Sequence, residues 1–455
     1  MAQWRTGGEK DASPIWLRDP LGILAEDAAG GVVVEGGTIC ELVPRGQKPG
    51  RSCEIFDASA HVVVPGLINT HHHFFQTLTR AFPGAIDRTL FPWLTALYPV
   101  WSRLTTDALE SAVMVAMAEL LLSGCTTTTD HHYLFPPALD QAIDIEAEVA
   151  SRLGIRAILT RGSMNLSQKD GGLPPDNVVQ DEDTILADSE RLIAKYHDPA
   201  PGALLQIALA PCSPFSVTTS LMRETAAMAE RYRVRLHTHL AETPDEDSWC
   251  EATYGQRPLD YLEECGWLHS GTWLAHGVHF KAEEIVRLGR AGVAVTHCPC
   301  SNQLLASGHC QVCALEDAGV RVGLGVDGCA SNDASNLMQE VRAALLLQRH
   351  HYGISRASHL DALRWGTEGS AACIGRPELG RIAPGAAADL ALFKLDELRF
   401  AGAGDPLAAL VLCGAHRADR VMIGGSWRVI DGMIPGLDLK RLIDRQNNAT
   451  ATLLQ

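Results

Sequence analysis

Positive charge is scarce in this sequence, and the shortage excludes several classes of protein. The 455 residues contain 38 lysines and arginines against 54 aspartates and glutamates, which gives a formal net charge of −16. A protein that binds nucleic acid or an anionic membrane carries a basic patch or stripe, and nothing in this composition indicates one. We therefore expect the partner to be a small, neutral or cationic molecule.

Long hydrophobic runs and a signal-like N-terminus are missing as well. No apolar stretch reaches the roughly 18 residues that a bilayer-spanning helix needs, and the first residues, MAQWRTGGEKDAS, contain no apolar segment. The 13 cysteines are odd in number and scattered, which does not indicate a disulfide framework. With 46% hydrophobic and 20% charged residues, the sequence is typical of a cytoplasmic globular protein with one large or two smaller domains.

Eight segments with the character of buried strands alternate with helix-like segments over most of the chain. Each is rich in β-branched or aliphatic residues, and they lie at 61–72, 125–132, 155–163, 204–212, 234–242, 272–277, 293–299 and 321–328. Strands that alternate with helices predict a parallel sheet. Eight such units predict an α/β fold in which residues 62–375 close into a (β/α)8 TIM barrel.

The two ends of the chain differ from this central region in their sequence pattern. Residues 15–60 and 380–435 contain short strand-like runs separated by glycine turns, without helix periodicity. We expect residues 1–61 and 376–455 to form one small β-sandwich domain that packs beside the barrel.

Histidine and aspartate recur where several of the predicted barrel strands end. Because side chains alternate faces along a strand, His71 and His73 project to the same side and form a two-toothed clamp. Three later strands also close on residues that bind metals, at the end of the barrel where active sites lie. The full set is His71, His73, His239, His276 and Asp327. This pattern indicates a metal-dependent hydrolase.

Four short motifs resemble those of the amidohydrolase superfamily, specifically its mononuclear-metal deaminases of purines, pterins and triazines. The motifs PGLINTHHH, HLAE, WLAHG and GLGVDGCASND agree with the family in order and strand number, and the resemblance covers nearly the whole chain. It implies four metal ligands, a set that leaves a position open for water. These ligands are His71, His73, His239 and Asp327. The catalytic residues that it implies are Glu242, His276 and again Asp327.

The resemblance also implies the number of metal ions. Two-metal members of the superfamily usually bridge their ions with a lysine late in the fourth strand, whereas LLQIALAPCSPF at 204–215 contains no lysine. We expect one ion per subunit, with zinc as the default for an imidazole-rich site and iron or manganese as alternatives.

Hydrolytic deamination gives each catalytic residue a task. A metal lowers the pKa of water from about 15.7 toward ~7. Asp327 takes the water proton, His276 holds and orients the hydroxide, and Glu242 protonates a ring nitrogen so that the attacked carbon becomes electrophilic. Asp327 then returns its proton to the departing amine. The implied enzyme hydrolyses C–N bonds of cyclic amidines.

Two positions bear on the substrate. Gln76 stands three residues after His73, where guanine deaminases carry a glutamine that reads the purine, and its amide offers both a donor and an acceptor. Guanine deaminases have an arginine in the fourth-strand stretch where this chain has Cys212. With APCSPFSV and HTHLAETPDE, the sequence looks most like 8-oxoguanine deaminases, which implies urate and ammonia as products. Guanine, isoxanthopterin and hydroxyatrazine-type triazines are the alternatives.

Further polar and aromatic residues are candidates for substrate contact. Arg161, near the end of the third strand, is predicted to bind substrate, with a pair to a barrel carboxylate as the alternative. Contact with substrate and a structural role are equally open for Asp130, His131, His132 and His297. Tyr98 and Trp101 are more simply explained as core residues.

Three other interpretations stay open. The first is a structural zinc held by Cys298, Cys300, Cys310 and Cys313. The second is a relative that has lost catalysis and serves as a binding subunit. The third is another hydrolysis in the same fold, such as ring opening of a cyclic amide or release of chloride from a triazine. A homodimer or higher oligomer is the prior expectation for the assembly.

Overall fold

The computed structural model describes residues 13–455, in which strands and helices alternate through the middle of the chain. The first twelve residues of the predicted sandwich segment 1–61 lie outside the described residues. In chain order the strands are β1 (Ile15–Arg18), β2 (Gly22–Ile23), β3 (Gly31–Glu35), β4 (Thr38–Val43), β5 (Glu54–Asp57), β6 (His61–Pro65), β7 (Leu67–Asn69), β8 (His72–His73), β9 (Cys125–His132), β10 (Arg156–Ser163), β11 (Leu205–Pro211), β12 (Leu236–Leu240), β13 (Thr272–His276), β14 (Ala294–His297), β15 (Arg321–Leu324), β16 (Asp327–Gly328), β17 (Leu390–Lys394), β18 (Arg420–Ile423) and β19 (Ser426–Val429).

The helices surround the barrel strands and extend to the C-terminus. They are α1 (Leu90–Trp101), α2 (Thr106–Leu122), α3 (Ala142–Leu153), α4 (Glu182–Tyr196), α5 (Thr219–Tyr232), α6 (Pro244–Tyr254), α7 (Pro258–Glu264), α8 (Ala282–Ala291), α9 (Pro299–Leu304), α10 (Val312–Asp317), α11 (Leu337–Tyr352), α12 (His359–Arg364), α13 (Ser370–Cys373), α14 (Pro406–Leu412) and α15 (Leu439–Leu453). A 3₁₀ segment, Phe74–Thr79, follows β8 directly. Among residues 13–455, none of the helices has the length and apolarity that crossing a membrane requires.

Eight parallel strands close into a barrel, which confirms the predicted fold class. The pairing runs strand by strand from β9 to β15, and β7 closes the ring between β15 and β9. The predicted segment 125–132 coincides with β9. Beyond the barrel rim, β8 pairs with β16, with Asp327 opposite His72 and Gly328 opposite His73. The first and last barrel units therefore meet at the carboxyl end, where the predicted ligands lie.

The helix boundaries follow local chemistry. Asp181 begins α4 by accepting a hydrogen bond from the Thr184 amide (2.9 Å), and the Thr218 hydroxyl does the same at α5. Gly154 and Gly292 end α3 and α8 in the left-handed conformation, with φ of 67° and 69°, which glycine adopts without steric cost. These caps set the lengths of the helices that pack on the barrel.

Both chain ends contribute strands to two further sheets. The first has the order β4-β3-β1-β5, and the second has the order β19-β18-β17-β6-β2. Their apolar faces share one core, which includes Leu17 and Val32 from the first sheet and Val63 and Leu390 from the second. The division into domains at 1–61, 62–375 and 376–455 stays a prediction. Strand β6 (His61–Pro65) crosses the first of these boundaries and pairs with β17 in the second sheet.

The first predicted strand is in fact two strands. Gly66 separates β6 from β7, and a Cβ atom there would lie 2.2 Å from the Thr126 side chain, so that only glycine permits this approach to β9. The chain therefore passes from the outer sheet into the barrel within one residue. Although Pro65 and Gly66 interrupt the apolar run of 62–68, nothing in the sequence shows that its two halves belong to different sheets.

Two helices occur in the C-terminal segment, where no helix was predicted. The sequence of α14, PLAALVL, is apolar throughout and has no amphipathic stripe, although Asp405 caps its first turn through the Ala408 amide (2.8 Å). The last helix, α15, packs on α2 through a hydrogen bond between Gln446 and Ser111 (2.8 Å). The end of the chain thus lies against the barrel helices.

Candidate active site

Three histidines and one aspartate converge at the carboxyl end of the barrel. Nε2 of His73 lies 3.1 Å from Nε2 of His239. Oδ1 of Asp327 lies 3.3 Å from Nε2 of both His71 and His73. All four side chains are buried. These are the four residues predicted as metal ligands, brought together from β12 and the paired segments around β8 and β16.

Hydrogen bonds on the outer side of two rings fix which nitrogen faces the cluster. Nδ1 of His73 donates to the His131 carbonyl (2.7 Å), and Nδ1 of His239 donates to the Cys212 carbonyl (2.6 Å). Burial lowers the pKa of His239 to about 3, so its ring is neutral and its single proton is on Nδ1. The Nε2 atom of His239 therefore directs a lone pair toward His73.

The third ring repeats the arrangement through another histidine. Nδ1 of His71 lies 2.8 Å from Nε2 of His237, whose own Nδ1 donates to the Trp273 carbonyl (2.9 Å). Nε2 of His71 is buried without a hydrogen-bond partner, and burial holds the pKa of this ring well below its usual value. Lone pairs that face one another and a carboxylate in a dry cluster require a cation. Three Nε2 atoms and one carboxylate oxygen fit a divalent metal, with each imidazole oriented by a second partner.

The two oxygens of Asp327 have different surroundings. Oδ1 faces the histidines, whereas Oδ2 accepts hydrogen bonds from the hydroxyls of Ser301 (2.6 Å) and Ser331 (3.2 Å). The Gly328 amide donates to Oδ1 (2.7 Å) as well, and these three hydrogen bonds favour the ionised form of Asp327. Asp327 is therefore a carboxylate that can bind a metal through one oxygen and accept a proton on the other.

Glu242 and His276 lie side by side next to Asp327. Nε2 of His276 is 3.6 Å from Oε2 of Glu242 and 4.0 Å from Oδ2 of Asp327. Burial, and after it the charge of Asp327, raises the pKa of Glu242 well above its usual value. One carboxyl is thus protonated and its neighbour ionised, which is the arrangement that an acid and a base in one site need.

Three of the eleven non-glycine residues with positive φ among residues 13–455 lie at the same place. Ala241, His276 and Asp327 have φ angles of 55°, 72° and 62°, a left-handed conformation that costs non-glycine residues roughly 1–3 kcal/mol and persists only where the surrounding structure enforces it. The amide of Asp327 donates to the His71 carbonyl (3.1 Å) and thereby ties one strained residue to the opposite ligand strand. Such strain is typical of functional sites.

A pocket of about 410 Å³ opens beside the cluster and is lined by Glu242, His276 and Asp327 together with mainly apolar and aromatic side chains. Gln76 and Cys212, both predicted to bind substrate, line it as well. The Gln76 carbonyl accepts from the Ala330 amide (3.3 Å), and burial raises the pKa of the Cys212 thiol to about 12. At Gln76 and Cys212 the pocket thus presents neutral groups to a ligand.

The structure does not bring Arg161 to this pocket, contrary to the prediction. The guanidinium of Arg161 is fully buried against Asp188 (2.7 Å) and Gln180 (2.7 Å) and lies 3.8 Å from the centre of the Phe135 ring. Arg161 therefore makes the ion pair that was the alternative interpretation, with a carboxylate on α4.

The other candidates divide in the same way. Tyr98 lines the pocket, whereas Trp101 is a core residue whose indole donates to Thr79 (3.1 Å). The remaining strand-end candidates do not line the pocket. These residues are Asp130, His131, His132 and His297. No three of the four cysteines at 298–313 converge on a metal position within the part of the chain that the structure describes.

Comparison with known proteins agrees with this geometry. Residues 62–428 match the model of the amidohydrolase family. The chain belongs to that family. It is 61% identical over 446 residues to 8-oxoguanine deaminase from Pseudomonas aeruginosa, which covers 97% of this chain and 99% of that protein. It is also 35% identical to an isoxanthopterin deaminase from an unknown prokaryotic organism, over 99% of this chain and 95% of that one.

A solved structure of the same family shares the architecture. Atrazine chlorohydrolase from Arthrobacter aurescens TC1, complexed with zinc, superimposes with a TM-score of 0.90 at 32% identity and covers 96% of this amidohydrolase and 100% of that chain. The resemblance drawn from the sequence motifs is thereby confirmed.

Several residues around the site of this amidohydrolase were not predicted. His237 orients His71, Asn302 accepts from Nδ1 of His276 (3.0 Å), and Ser301 holds Asp327. A signal existed for His237, because it stands two residues before His239 and must share its strand face. Ser301 and Asn302 follow β14 in the segment HCPCSN. In this segment the histidine and the cysteines are the residue types that indicate a metal or catalytic site, and the serine and the asparagine give no such signal. Tyr133, another lining residue, follows the DHH triplet that ends β9.

Proposed function

We propose that this amidohydrolase is a zinc-dependent hydrolytic deaminase that converts 8-oxoguanine and water to urate and ammonia. The reaction type rests on one observation, the convergence of Glu242 and Asp327 on His276 (3.6 and 4.0 Å) beside a cluster of three imidazoles. Zinc is supported by the imidazole-rich donor set and by the zinc in the related atrazine chlorohydrolase. The substrate is supported by the 61% identity to 8-oxoguanine deaminase.

The residues of the pocket would divide the proton transfers between them. When bound at His71, His73, His239 and Asp327, a divalent metal lowers the pKa of water toward ~7. Asp327 accepts the water proton on the oxygen that faces Ser301 and Ser331. His276, held by Asn302, orients the attacking oxygen, and Glu242 delivers its proton to a ring nitrogen next to the carbon that bears the amine. The proton on Asp327 then leaves with ammonia, and the remaining proton of the attacking water returns to Glu242 as the new carbonyl forms.

The choice of purine is supported by what lines the pocket. Neither lysine nor arginine lines it, and the phenol oxygens of Tyr98 and Tyr133 can accept as well as donate. An 8-oxopurine has a proton on N7 where guanine has a lone pair, so it needs an acceptor where guanine needs a donor. Gln76 lines the pocket, and we propose that it offers its amide to the purine. The cytoplasmic location and the homo-oligomeric state expected from the sequence stay predictions.

A panel of substrates tests the proposal. Ammonia release is measured from 8-oxoguanine, guanine, isoxanthopterin and an aminotriazine with zinc-loaded protein, and urate is detected by its absorbance. We expect the highest kcat/KM for 8-oxoguanine. Ammonia from the pterin or the triazine alone would replace the substrate and keep the reaction, whereas no ammonia from any of them would overturn both.

A further inference from the structure

A second group of buried titratable side chains lies behind the metal cluster, between β9 and α3. Asp130 and His132 on β9 and Glu146 on α3 are fully buried, and one donor or acceptor atom from each lies within 4.8 Å of the others. Nδ1 of His132 is 3.2 Å from Oε1 of Glu146, and a carboxyl oxygen of Asp130 lies within 4.8 Å of both side chains. None of the three lines the pocket, and no step of the proposed reaction uses them.

No positive side chain neutralises this group among the described residues. Arg161, whose charge acts on His132, is paired with Asp188. Apart from their contacts with one another, Oδ2 of Asp130, Nδ1 of His132 and both oxygens of Glu146 have no hydrogen-bond partner. Two bare carboxylates in a dry environment without a counterion are strongly disfavoured, so the group must retain protons.

The bonds at the two ends of the group determine how many protons it holds. The Phe74 amide donates to Oδ1 of Asp130 (2.7 Å), and Nε2–H of His132 donates to the Leu134 carbonyl (2.7 Å). Two contacts then remain, one between Asp130 and Glu146 and one between Glu146 and His132. In each of them both atoms are hydrogen-bond acceptors unless one of them carries a proton. One proton on each carboxyl satisfies both contacts and leaves every group uncharged.

The result is a continuous hydrogen-bonded chain with a single direction. It runs from the Phe74 amide to Asp130, from the Asp130 hydroxyl to Glu146, from the Glu146 hydroxyl to His132, and from His132 to the Leu134 carbonyl. Burial favours the same protonation states, since it raises the pKa of Asp130 well above its usual value and that of Glu146 to about 8, and lowers that of His132 to about 4.

We propose that Asp130, Glu146 and His132 form an uncharged hydrogen-bonded chain that positions the metal ligand His73. Phe74 follows His73 directly, so Asp130 fixes the backbone next to this ligand, while the adjacent His131 carbonyl fixes its ring (2.7 Å). The end of β9 thus holds His73 at two points, and Glu146 and His132 hold the end of β9. The inference rests on the proposed metal centre, and all three are positioning residues.

Amide substitutions separate this chain from an ion pair or a second metal site. A glutamine at 146 donates from its NH₂ group to His132 and accepts from Asp130, and an asparagine at 130 accepts from Phe74 and donates to Glu146. Both amides therefore reproduce the uncharged chain. Glu340 offers the contrast, because its two oxygens accept from the Cys300 amide (3.1 Å) and from Asn332 (2.8 Å), so that an amide there must set a donor against a donor.

The first test is zinc affinity, measured by competition with a chelator on folded protein. Glu146→Gln and Asp130→Asn are expected to keep the zinc Kd within about threefold, whereas Glu146→Leu and Asp130→Leu are expected to weaken binding roughly 10- to 100-fold, as the loss of groups that orient a ligand does. Glu340→Gln is expected to lower Tm more than Glu146→Gln. Equal zinc affinity in the leucine and amide variants would overturn the proposal.

A control separates positioning from general loss of stability. Asp389→Asn breaks the buried pair of Asp389 with Arg156 (2.6 Å), which starts β10 at the opposite end of the barrel. We expect it to lower Tm and leave the zinc Kd unchanged. If it weakened zinc binding as much as Asp130→Leu did, the effect at Asp130 would be one of stability alone.

The second test reads the protons directly in the zinc-loaded protein. Infrared difference spectra at neutral pH, wild type minus Glu146→Gln and wild type minus Asp130→Asn, should each show the loss of a protonated carboxylic acid band. Loss of a carboxylate band would overturn the proposal, and so would a second equivalent of metal in the wild type that Glu146→Gln removes. Wild type that binds no zinc at all would refute the metal centre, while these spectra would still decide the chain.

Discussion

The metal end and the substrate end of the pocket are built differently. At the metal end, each of the three rings is held on its outer nitrogen by a carbonyl or by His237, at 2.6 to 2.8 Å. At the substrate end, the hydroxyl of Tyr98 donates to the sulfur of Met164 (3.8 Å), and the side-chain oxygen of Gln76 accepts a hydrogen bond from the Ala330 amide (3.3 Å). The first region is fixed by the protein, whereas the second leaves hydrogen-bonding capacity for a ligand.

This difference means that chemistry and specificity can vary separately within one barrel. Proton transfer needs atoms held within hydrogen-bond distance, which a rigid and well-anchored cluster provides. Recognition of a heterocycle needs only a few convergent polar groups in a mainly apolar pocket. We therefore expect changes at the metal end to affect kcat by orders of magnitude and changes at the substrate end to alter KM and preference more modestly.

The largest effect is expected for Asp327→Asn. The amide keeps the shape and leaves three imidazoles to hold zinc, but it cannot accept the water proton, so kcat should fall by about 10⁴-fold, at the upper end for general base catalysis. Metal analysis alongside turnover checks this. Loss of zinc together with activity that returns when zinc is added in excess would instead make Asp327 a simple ligand.

Glu242→Gln should follow, with a loss of at least ~10²-fold in kcat and full zinc content, because only the proton donor is removed. The pH profile sharpens the assignment. Since the pKa of Glu242 is raised by burial, the acid form persists at neutral pH and activity is lost as pH rises through that pKa. The variant should lose this alkaline limb. More than a tenth of wild-type turnover in Glu242→Gln would contradict the role.

The difference in kcat/KM between two purines is expected to be smaller than the loss of kcat in these two variants. Guanine presents its N7 lone pair to a pocket that neither arginine nor lysine lines, so that only a neutral hydroxyl or amide could donate to it, and a poorly matched buried polar group costs roughly 1–3 kcal/mol. We expect 8-oxoguanine to exceed guanine by about tenfold or more in kcat/KM. Steady-state kinetics with both purines measures it, and equal turnover would remove the argument from the Cys212 position.

The convergence of side chains at the metal end could be predicted from the sequence, because strand geometry dictates it. His71 and His73 are two residues apart and must share a face, and Asp327 and His276 close strands whose ends meet at one rim of the barrel. Glu242 was found through the family motif and not through geometry. The change of sheet at Gly66 was not visible, because it depends on a close approach to Thr126 on another strand.

Arg161 shows why the substrate end was harder to predict. A barrel strand is buried on both faces, so its sequence shows no alternation that would tell inside from outside. On β10, Ile158 packs with residues of other barrel strands, whereas Leu159 packs in the cluster that includes the helices. Arg161 stands two residues after Leu159 on β10, so its side chain lies on the same face of the strand and faces α4. A single residue of register separates a pocket residue from a structural one.

Gln76→Ala should have a moderate effect. The variant loses one neutral hydrogen bond to the purine, which contributes about 0.5–1.5 kcal/mol, so KM should rise by about tenfold or less for both 8-oxoguanine and guanine with little change in kcat. Gly328, the residue after Asp327, packs against the Gln76 amide, since a Cβ atom at Gly328 would lie 1.9 Å from it. The substitution could therefore disturb the loop that carries Asp327, and unchanged zinc content is the control for that effect. A selective loss for one purine would show that Gln76 sets preference as well as affinity.

The smallest kinetic effect is expected for Arg161→Met, which tests the boundary of the substrate end. Methionine keeps much of the buried volume but removes the pair with Asp188 and the contact with Gln180, so we expect a lower Tm and a KM for 8-oxoguanine within about twofold of wild type. Asp188→Asn is the matched control, because it removes the same ion pair from the more exposed partner. If Arg161 serves only this pair, both variants lower Tm and neither changes KM. A KM that rises in Arg161→Met but not in Asp188→Asn would return Arg161 to the substrate site and mean that the pocket extends further toward α4 when a ligand is bound.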